Sequence, residues 1–254
     1  MRILHNFDCV DDIVRPAVTL GSFDGVHTGH RRILDSLIAE SKRIGGQSVV
    51  ITFDPHPRQV IFPEQKMELL TSLDEKAEVL ERLGIDNLLV IKFDEDFRRL
   101  SSEEFVREYL VKRLGMKSMI VGYNHHFGHN RSGDFNHLTP LHNELNFNLT
   151  QVEKFDMGCG KISSTEIRKM LTGGDVEKAA KLLDYQYFII GQADHSGQFT
   201  PNMPNKIIPG EGIYNVTIGN SSHQLIINGN NQLTIKNFND CPQNIKITFN
   251  EKIG

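Results

Sequence analysis

Long apolar runs are missing from this chain of 254 residues, and none reaches the length of a bilayer-spanning helix. Cysteine is scarce: Cys9, Cys159 and Cys241 are widely spaced and form no C-x-x-C pair. That pattern argues against a cysteine metal site and for free thiols in a reducing compartment. Charge of one sign is also lacking. The net charge is −4 with lysines and arginines dispersed, so nothing announces a nucleic-acid or membrane surface. The opening residues Met1 to Asp8 meet acid too early for a secretion signal, which gives the expectation of a cytoplasmic protein. Internal repeats and true low-complexity segments are absent as well. The length allows one sizeable domain plus a small one.

What is present alternates. Up to about Asp184, short β-type runs (Gln47 to Phe53, Asn87 to Phe93, Lys117 to Val121) exchange with helical spacings. Leu73, Ala77, Leu80 and Leu83 mark one helix, and Ser101 to Glu104 opens another with capping chemistry. Strands separated by helices imply an α/β fold with a parallel sheet and ligands at the carboxyl ends of its strands. His27, Asp54 and Asn124 each follow a predicted strand and are expected to gather at one edge. After Tyr185 asparagine becomes abundant and helical periods vanish. Tyr187–Ile190, Gly212–Ile218, Gln224–Ile227, Leu233–Ile235 and Ile245–Phe249 read as strands of a small antiparallel β domain or barrel, with too few residues for a large core. The expected division is 1–184 and 185–254.

The densest chemistry lies in Gly21 to His30, G-S-F-D-G-V-H-T-G-H. Val18, Leu20 and Phe23 read as a strand end. A helix follows through Arg31, Ile33, Leu34, Leu37 and Ile38. Glycines Gly21, Gly25 and Gly29 suit a tight turn and close backbone approach to a ligand. Thr28 is placed as the N-cap, so free N–H groups and the positive helix end face whatever binds there. His27 and His30, three residues apart, can converge on one anion such as a triphosphate.

Three further segments carry polar chemistry. Thr52 to Pro57 (T-F-D-P-H-P) holds Asp54 and His56 between prolines, which suits either strand termination or substrate positioning. Val121 to Asp134 frames Tyr123, Asn124 and Phe127 between Gly122 and Gly128, with His125, His126 and His129 nearby. Three histidines invite a zinc reading, but no paired cysteine or well-spaced acid completes it. Lys161 to Arg168 puts Ser163, Ser164 and Thr165 at a helix start, with Glu166 able to complete a capping box. Arg168 lies one turn on, where its fork can reach the same anion.

These strings, in this order, resemble the nucleotidyltransferase superfamily, and F-D-G-V-H-x-G-H resembles its bacterial FAD synthetase branch. The resemblance implies a Rossmann-like nucleotidyltransferase domain, followed by a reduced barrel like that of riboflavin kinase. It also implies transfer of AMP from MgATP to FMN, giving FAD and pyrophosphate. Catalytic roles then fall to His27, His30, Ser164, Thr165 and Arg168. Nucleotide contacts fall to Gly21, Phe23, Gly25, Gly29 and Asn124. Flavin contacts fall to Asp54, His56, Pro57, Tyr123, Asn124 and Phe127. Magnesium accompanies ATP, with no protein ligand assigned to it; the expected partners are the small molecules ATP and FMN.

The tail departs from the family pattern. Leu182-Leu183-Asp184-Tyr185 resembles the linker into the barrel, with Asp184 where glycine is usual, and Ile207 to Tyr214 resembles its L-x-P-x-x-G-V-Y strand. Between them the Gly-Arg loop and P-T-A-N are replaced by Gly191 to Asn202, which keeps only Thr200 and Asn202 in spacing. Gln232 stands where the family's general-base glutamate is expected, and an amide cannot accept a hydroxyl proton at neutral pH. The expectation is a barrel without kinase activity. A bifunctional enzyme with a divergent kinase site and a non-catalytic flavin-binding regulator are the alternatives.

Overall fold

The structure, a computed structural model, describes all residues except 130–131, 154–161 and 239–242. Asn130, Arg131, Lys161, Cys159 and Cys241 therefore lie outside the described residues; Cys9 is an exposed free thiol. Two compact units emerge. The first comprises Met1–Phe23, Gly29–Lys66 and Ala77–Gly158; the second comprises Asp24–Thr28, Met67–Lys76 and Cys159–Gly254.

The first unit is built on a six-stranded sheet in which every pairing is parallel. Its strands are β1 (Arg2–His5), β2 (Ala17–Leu20), β3 (Ser48–Asp54), β4 (Asn87–Lys92), β5 (Ser118–Gly122) and β6 (Asn148–Val152), in the order β1-β4-β3-β2-β5-β6. All of β2 and β5 and the first five residues of β3 are buried, as expected for strands covered by helices on both faces. Helices α1 (Thr28–Arg43) and α3 (Leu73–Arg82) pass from one unit into the other along the chain. The predicted helix after Ser101 is present and opens with the expected Ser101–Glu104 capping box. It then runs as a π-helix over Phe105–Arg113. There Phe105 and Tyr109 join Phe7 and Phe97 in an aromatic cluster.

Counted from β2, the strands β4-β3-β2-β5-β6 follow the doubly wound order that reverses between β2 and β5. Because β3, β2 and β5 are parallel neighbours, Asp54, Gly21 and Tyr123–Asn124 leave the sheet at the same end. Phe23 differs from the sequence expectation. The strand stops at Leu20, and Phe23 is a buried turn residue with φ +44°.

The second unit holds helices α7 (Ser164–Thr172) and α8 (Val176–Leu183) and a closed antiparallel barrel. The barrel strands are β7 (Phe188–Ala193), β8 (Gln198–Pro201), β9 (Gly212–Ile218), β10 (Ser221–Ile227), β11 (Leu233–Ile235) and β12 (Gln243–Lys252), arranged β10-β11-β8-β7-β12-β9. Pairing of β9 with β10 closes the ring and removes the exposed sheet edges. Alternation such as buried Tyr214 and Val216 in β9, or Leu225 and Ile227 in β10, fills the interior. The expectation of too small a core is met by α7 and α8, whose Ile167, Leu171, Val176 and Leu183 belong to the same apolar cluster as the barrel residues. Asp184 caps α8 in the left-handed region at φ +63°, a conformation aspartate tolerates.

Candidate active site

The turn after β2 is shaped by backbone demands before any ligand is considered. Gly25 has φ +83°, and a Cβ there would meet Leu70 Cδ1 at 2.6 Å. Glycine at this position therefore serves packing and conformation together. Val26, a β-branched residue, takes φ +38°, which surrounding contacts must impose.

Those contacts converge on Asp24, a carboxylate with 4% of its side chain exposed. Leu70 N–H (2.9 Å) and Thr71 N–H (3.1 Å) both donate to its Oδ1, while Arg168 pairs with its Oδ2. Arg168 also donates from Nε to the Glu68 carbonyl at 2.8 Å. Around Asp24, Ser164 Oγ donates to its carbonyl (2.9 Å) and Gly25 N–H donates to Thr71 Oγ1 (3.1 Å). Tyr185 donates its hydroxyl to the Gly25 carbonyl (2.8 Å). Thr28 is not the N-cap acceptor expected from sequence: its hydroxyl donates to the Leu182 carbonyl at 3.0 Å. The cap expected at the next motif is real, with Ser163 Oγ accepting from Glu166 N–H at the start of α7.

His27 follows in this buried turn. Burial pushes its pKa down to about 4; Asp24 opposes the shift and Arg168 adds to it. The ring is therefore neutral at pH 7, a hydrogen-bonding group rather than a charge. Thr165 and Arg168 line an open groove of about 460 Å³ together with Glu68, Lys169, Thr172, Gly173 and Ile207.

In the first unit, His30 sits on α1 with its ring edge-on to Phe23 (centroids 5.2 Å apart), so Phe23 supports that histidine from the buried side. Asp54 is exposed at the end of β3. His56 caps the short helix over Pro57–Ile61, accepting from Arg58 N–H on Nδ1, with Gln59 completing a capping box. Tyr123 and Asn124 are exposed after β5. Phe127 instead lies in the core, packed against Phe105 and stacked under His125. Among the described residues no group of three His, Cys, Asp or Glu is placed to hold a metal ion.

Sequence reasoning passed over Asp24 as a site residue. Its signal was local: an acid between a strand end and a glycine, in the turn already identified.

A parallel sheet in this order, with a strand–turn–helix at its switch point, defines a doubly wound, Rossmann-like α/β protein. Residues 11–166 match the FAD synthetase family, and the chain belongs to it. It is 33% identical over 210 residues to the bifunctional riboflavin kinase/FMN adenylyltransferase of Escherichia coli (strain K12), covering 79% of this chain and 67% of that protein. Similarity to the Listeria monocytogenes protein of the same description is 36% over 187 residues, 72% of this chain and 58% of the relative. A crystal structure described as a macrolide-efflux protein from Streptococcus pneumoniae shares the fold, with a TM-score of 0.84 at 21% identity over 100% of this chain and 91% of that one. No helix among the described residues is long and apolar enough to cross a membrane.

Proposed function

We propose that this chain is an FMN adenylyltransferase acting on ATP and FMN in the cytoplasm. The observation that carries the reading is the Asp24–Thr28 turn. Within a match to the FAD synthetase family, it joins His27 and Arg168 around one buried carboxylate at the start of α1. An oxygen of the FMN phosphate attacks the α-phosphorus of ATP. The bond from that phosphorus to the bridging oxygen breaks, and pyrophosphate leaves with the electron pair. No covalent enzyme intermediate is needed.

His27, neutral, donates a hydrogen bond to a phosphoryl oxygen, and His30 contributes from the first turn of α1. Arg168 is oriented by Asp24 and Glu68, with further N–H donors in its fork for phosphate. Thr165 is exposed beside it and donates to the same anion, whereas Ser164 holds the turn through the Asp24 carbonyl. Gly21, Gly25 and Gly29 shape the nucleotide turn. Asp54, Pro57, Tyr123 and Asn124 are assigned to the flavin side; His56 and Phe127 support those loops from beneath. Bound with ATP through phosphate and water, magnesium would screen the charge of the leaving pyrophosphate.

The same reading confines catalysis to residues 1–184 and assigns no riboflavin phosphorylation to 185–254. Gln232 is exposed in the turn between β10 and β11, its Oε1 accepting from Asn228 Nδ2 at 2.8 Å. Incubating the purified chain with MgATP and either FMN or riboflavin, then separating the flavins, tests this. FAD from FMN with no product from riboflavin supports it. FMN appearing from riboflavin overturns the barrel assignment, and silence with both substrates overturns the whole reading.

A further inference from the structure

Lys206 is buried between β8 and β9, and nothing in the adenylyl-transfer chemistry above employs it. Its ammonium donates to the Leu70 carbonyl (2.6 Å) and to Glu75 Oε2 (2.5 Å), with Lys206 and Glu75 each 1% exposed, and it sits 4.5 Å over the Tyr187 ring. Glu75 in turn accepts from Ser72 N–H (2.8 Å) and Ile190 N–H (2.9 Å). The backbones run side by side: Leu69 N–H donates to the Asn205 carbonyl, Ile207 N–H donates to the Leu69 carbonyl, and Asn205 Nδ2 donates to the Met67 carbonyl.

The segment from Met67 to Lys76 is thus clamped on one side by Lys206. On its other side the same segment presents Leu70 N–H and Thr71 N–H to Asp24, and the Glu68 carbonyl to Arg168. The Leu70–Thr71 peptide unit joins the two sides: its carbonyl takes the Lys206 ammonium, and its N–H, with that of Leu70, holds the Asp24 carboxylate that pairs with Arg168.

We propose that Lys206, a residue of the barrel's chain, is a positioning residue for adenylyl transfer: through Leu70 and Glu75 it holds the Met67–Lys76 segment that sets Arg168 for the triphosphate. The proposal rests on the adenylyltransferase reading. It also gives the barrel a reason to persist without phosphorylating riboflavin, because its chain supplies one wall of the arginine's mount. A buried charge pair is replaceable by isosteric neutral groups with little change in stability, whereas removing one partner leaves the other uncompensated. Substituting both partners leaves no lone buried charge, and the thermal midpoint reads what the Leu70 carbonyl loses with its donor.

The experiment compares steady-state FAD formation by the full chain, Lys206→Met, Lys206→Met/Glu75→Gln, Arg168→Ala, and the double variant combined with Arg168→Ala, each with its thermal midpoint. The double variant keeps the proposal testable if Lys206→Met alone does not fold. Expected is a fall in kcat of about tenfold in Lys206→Met/Glu75→Gln, with the KM for FMN unchanged and the variant still folded at the assay temperature. In the Arg168→Ala background the same pair of substitutions changes the rate less than twofold, because the group they act through is gone. An equal tenfold loss in both backgrounds overturns the proposal, as does an unchanged kcat. A parent chain that makes no FAD overturns the functional reading and this proposal together, an outcome distinct from either of those.

Discussion

The turns Asp24–Thr28 and Asn228–Gln232 are equally short and lie in the same compact unit, yet they are held in opposite ways. In the hairpin turn the hydrogen bonds are local. Asn228 Oδ1 accepts from Asn230 N–H and Gln232 N–H, Asn228 Nδ2 donates to Gln232 Oε1, and Asn231 N–H donates to the Asn228 carbonyl. In the loop before α1 the partners lie far along the chain, from Leu70, 46 residues away, to Tyr185, 160 residues away. A turn that satisfies itself needs nothing but its own asparagines. A turn whose groups are tied down by distant residues is preorganised by the fold, and at Val26 it sustains a backbone angle that local sequence would not choose. Distant residues fix the first turn, whereas the second fixes itself.

The severest way to break this contrast is Arg168→Ala. It leaves the Asp24 carboxylate buried without its cation, so the chain is expected to lose about 3–5 kcal/mol of stability. FAD formation should fall by two or more orders of magnitude. Denaturant unfolding and the flavin assay read the two effects. An unmoved midpoint would show that the turn holds itself, as the hairpin does.

A finer cut comes from pH. The folded pKa of His27 is about 4 against an ordinary 6.5, so between those values the unfolded chain binds more protons than the folded one. Stability from this group is complete above pH 6.5 and is lost as pH falls toward 4, by roughly 3 kcal/mol in all. Unfolding midpoints measured from pH 7 to pH 4 should show that slope, and His27→Gln should flatten it. An equal slope in the variant would place the titration elsewhere.

The smallest effect is expected at the hairpin. Gln232→Glu puts a carboxylate back in an exposed turn and should change stability by no more than about 0.5 kcal/mol. No FMN should form from riboflavin. Kinase activity in that variant would mean that a single acid restores the barrel's chemistry.

The periodic elements were legible in the chain because burial imposes their period. Gly212–Ile218 and Leu233–Ile235 appear with the bounds expected from alternation, and α1 follows its helical spacing through Leu34 and Leu37. The elements that escaped have little pattern to show. Strand β1 buries one of its four residues, β8 is four residues ending in proline, and the π-helix carries apolar spacings that also read as an ordinary helix. At the site, His27, His30, Ser164, Thr165 and Arg168 were visible as residues because the motifs carry them. The commitment of Ser164 and Thr28 to backbone carbonyls, and the burial of Phe127, were not visible, since both depend on what packs opposite.

By itself the sequence determined the class of fold and the family, because periodicity and motif spacing are properties of neighbours along the chain. Only the tertiary structure decided that Asp24 is the hub, that Arg168 is spoken for by it, and that Lys206 and Glu75 clamp the segment behind it. Those facts belong to pairs up to 144 residues apart, brought together by closing the fold, and no local spacing encodes them.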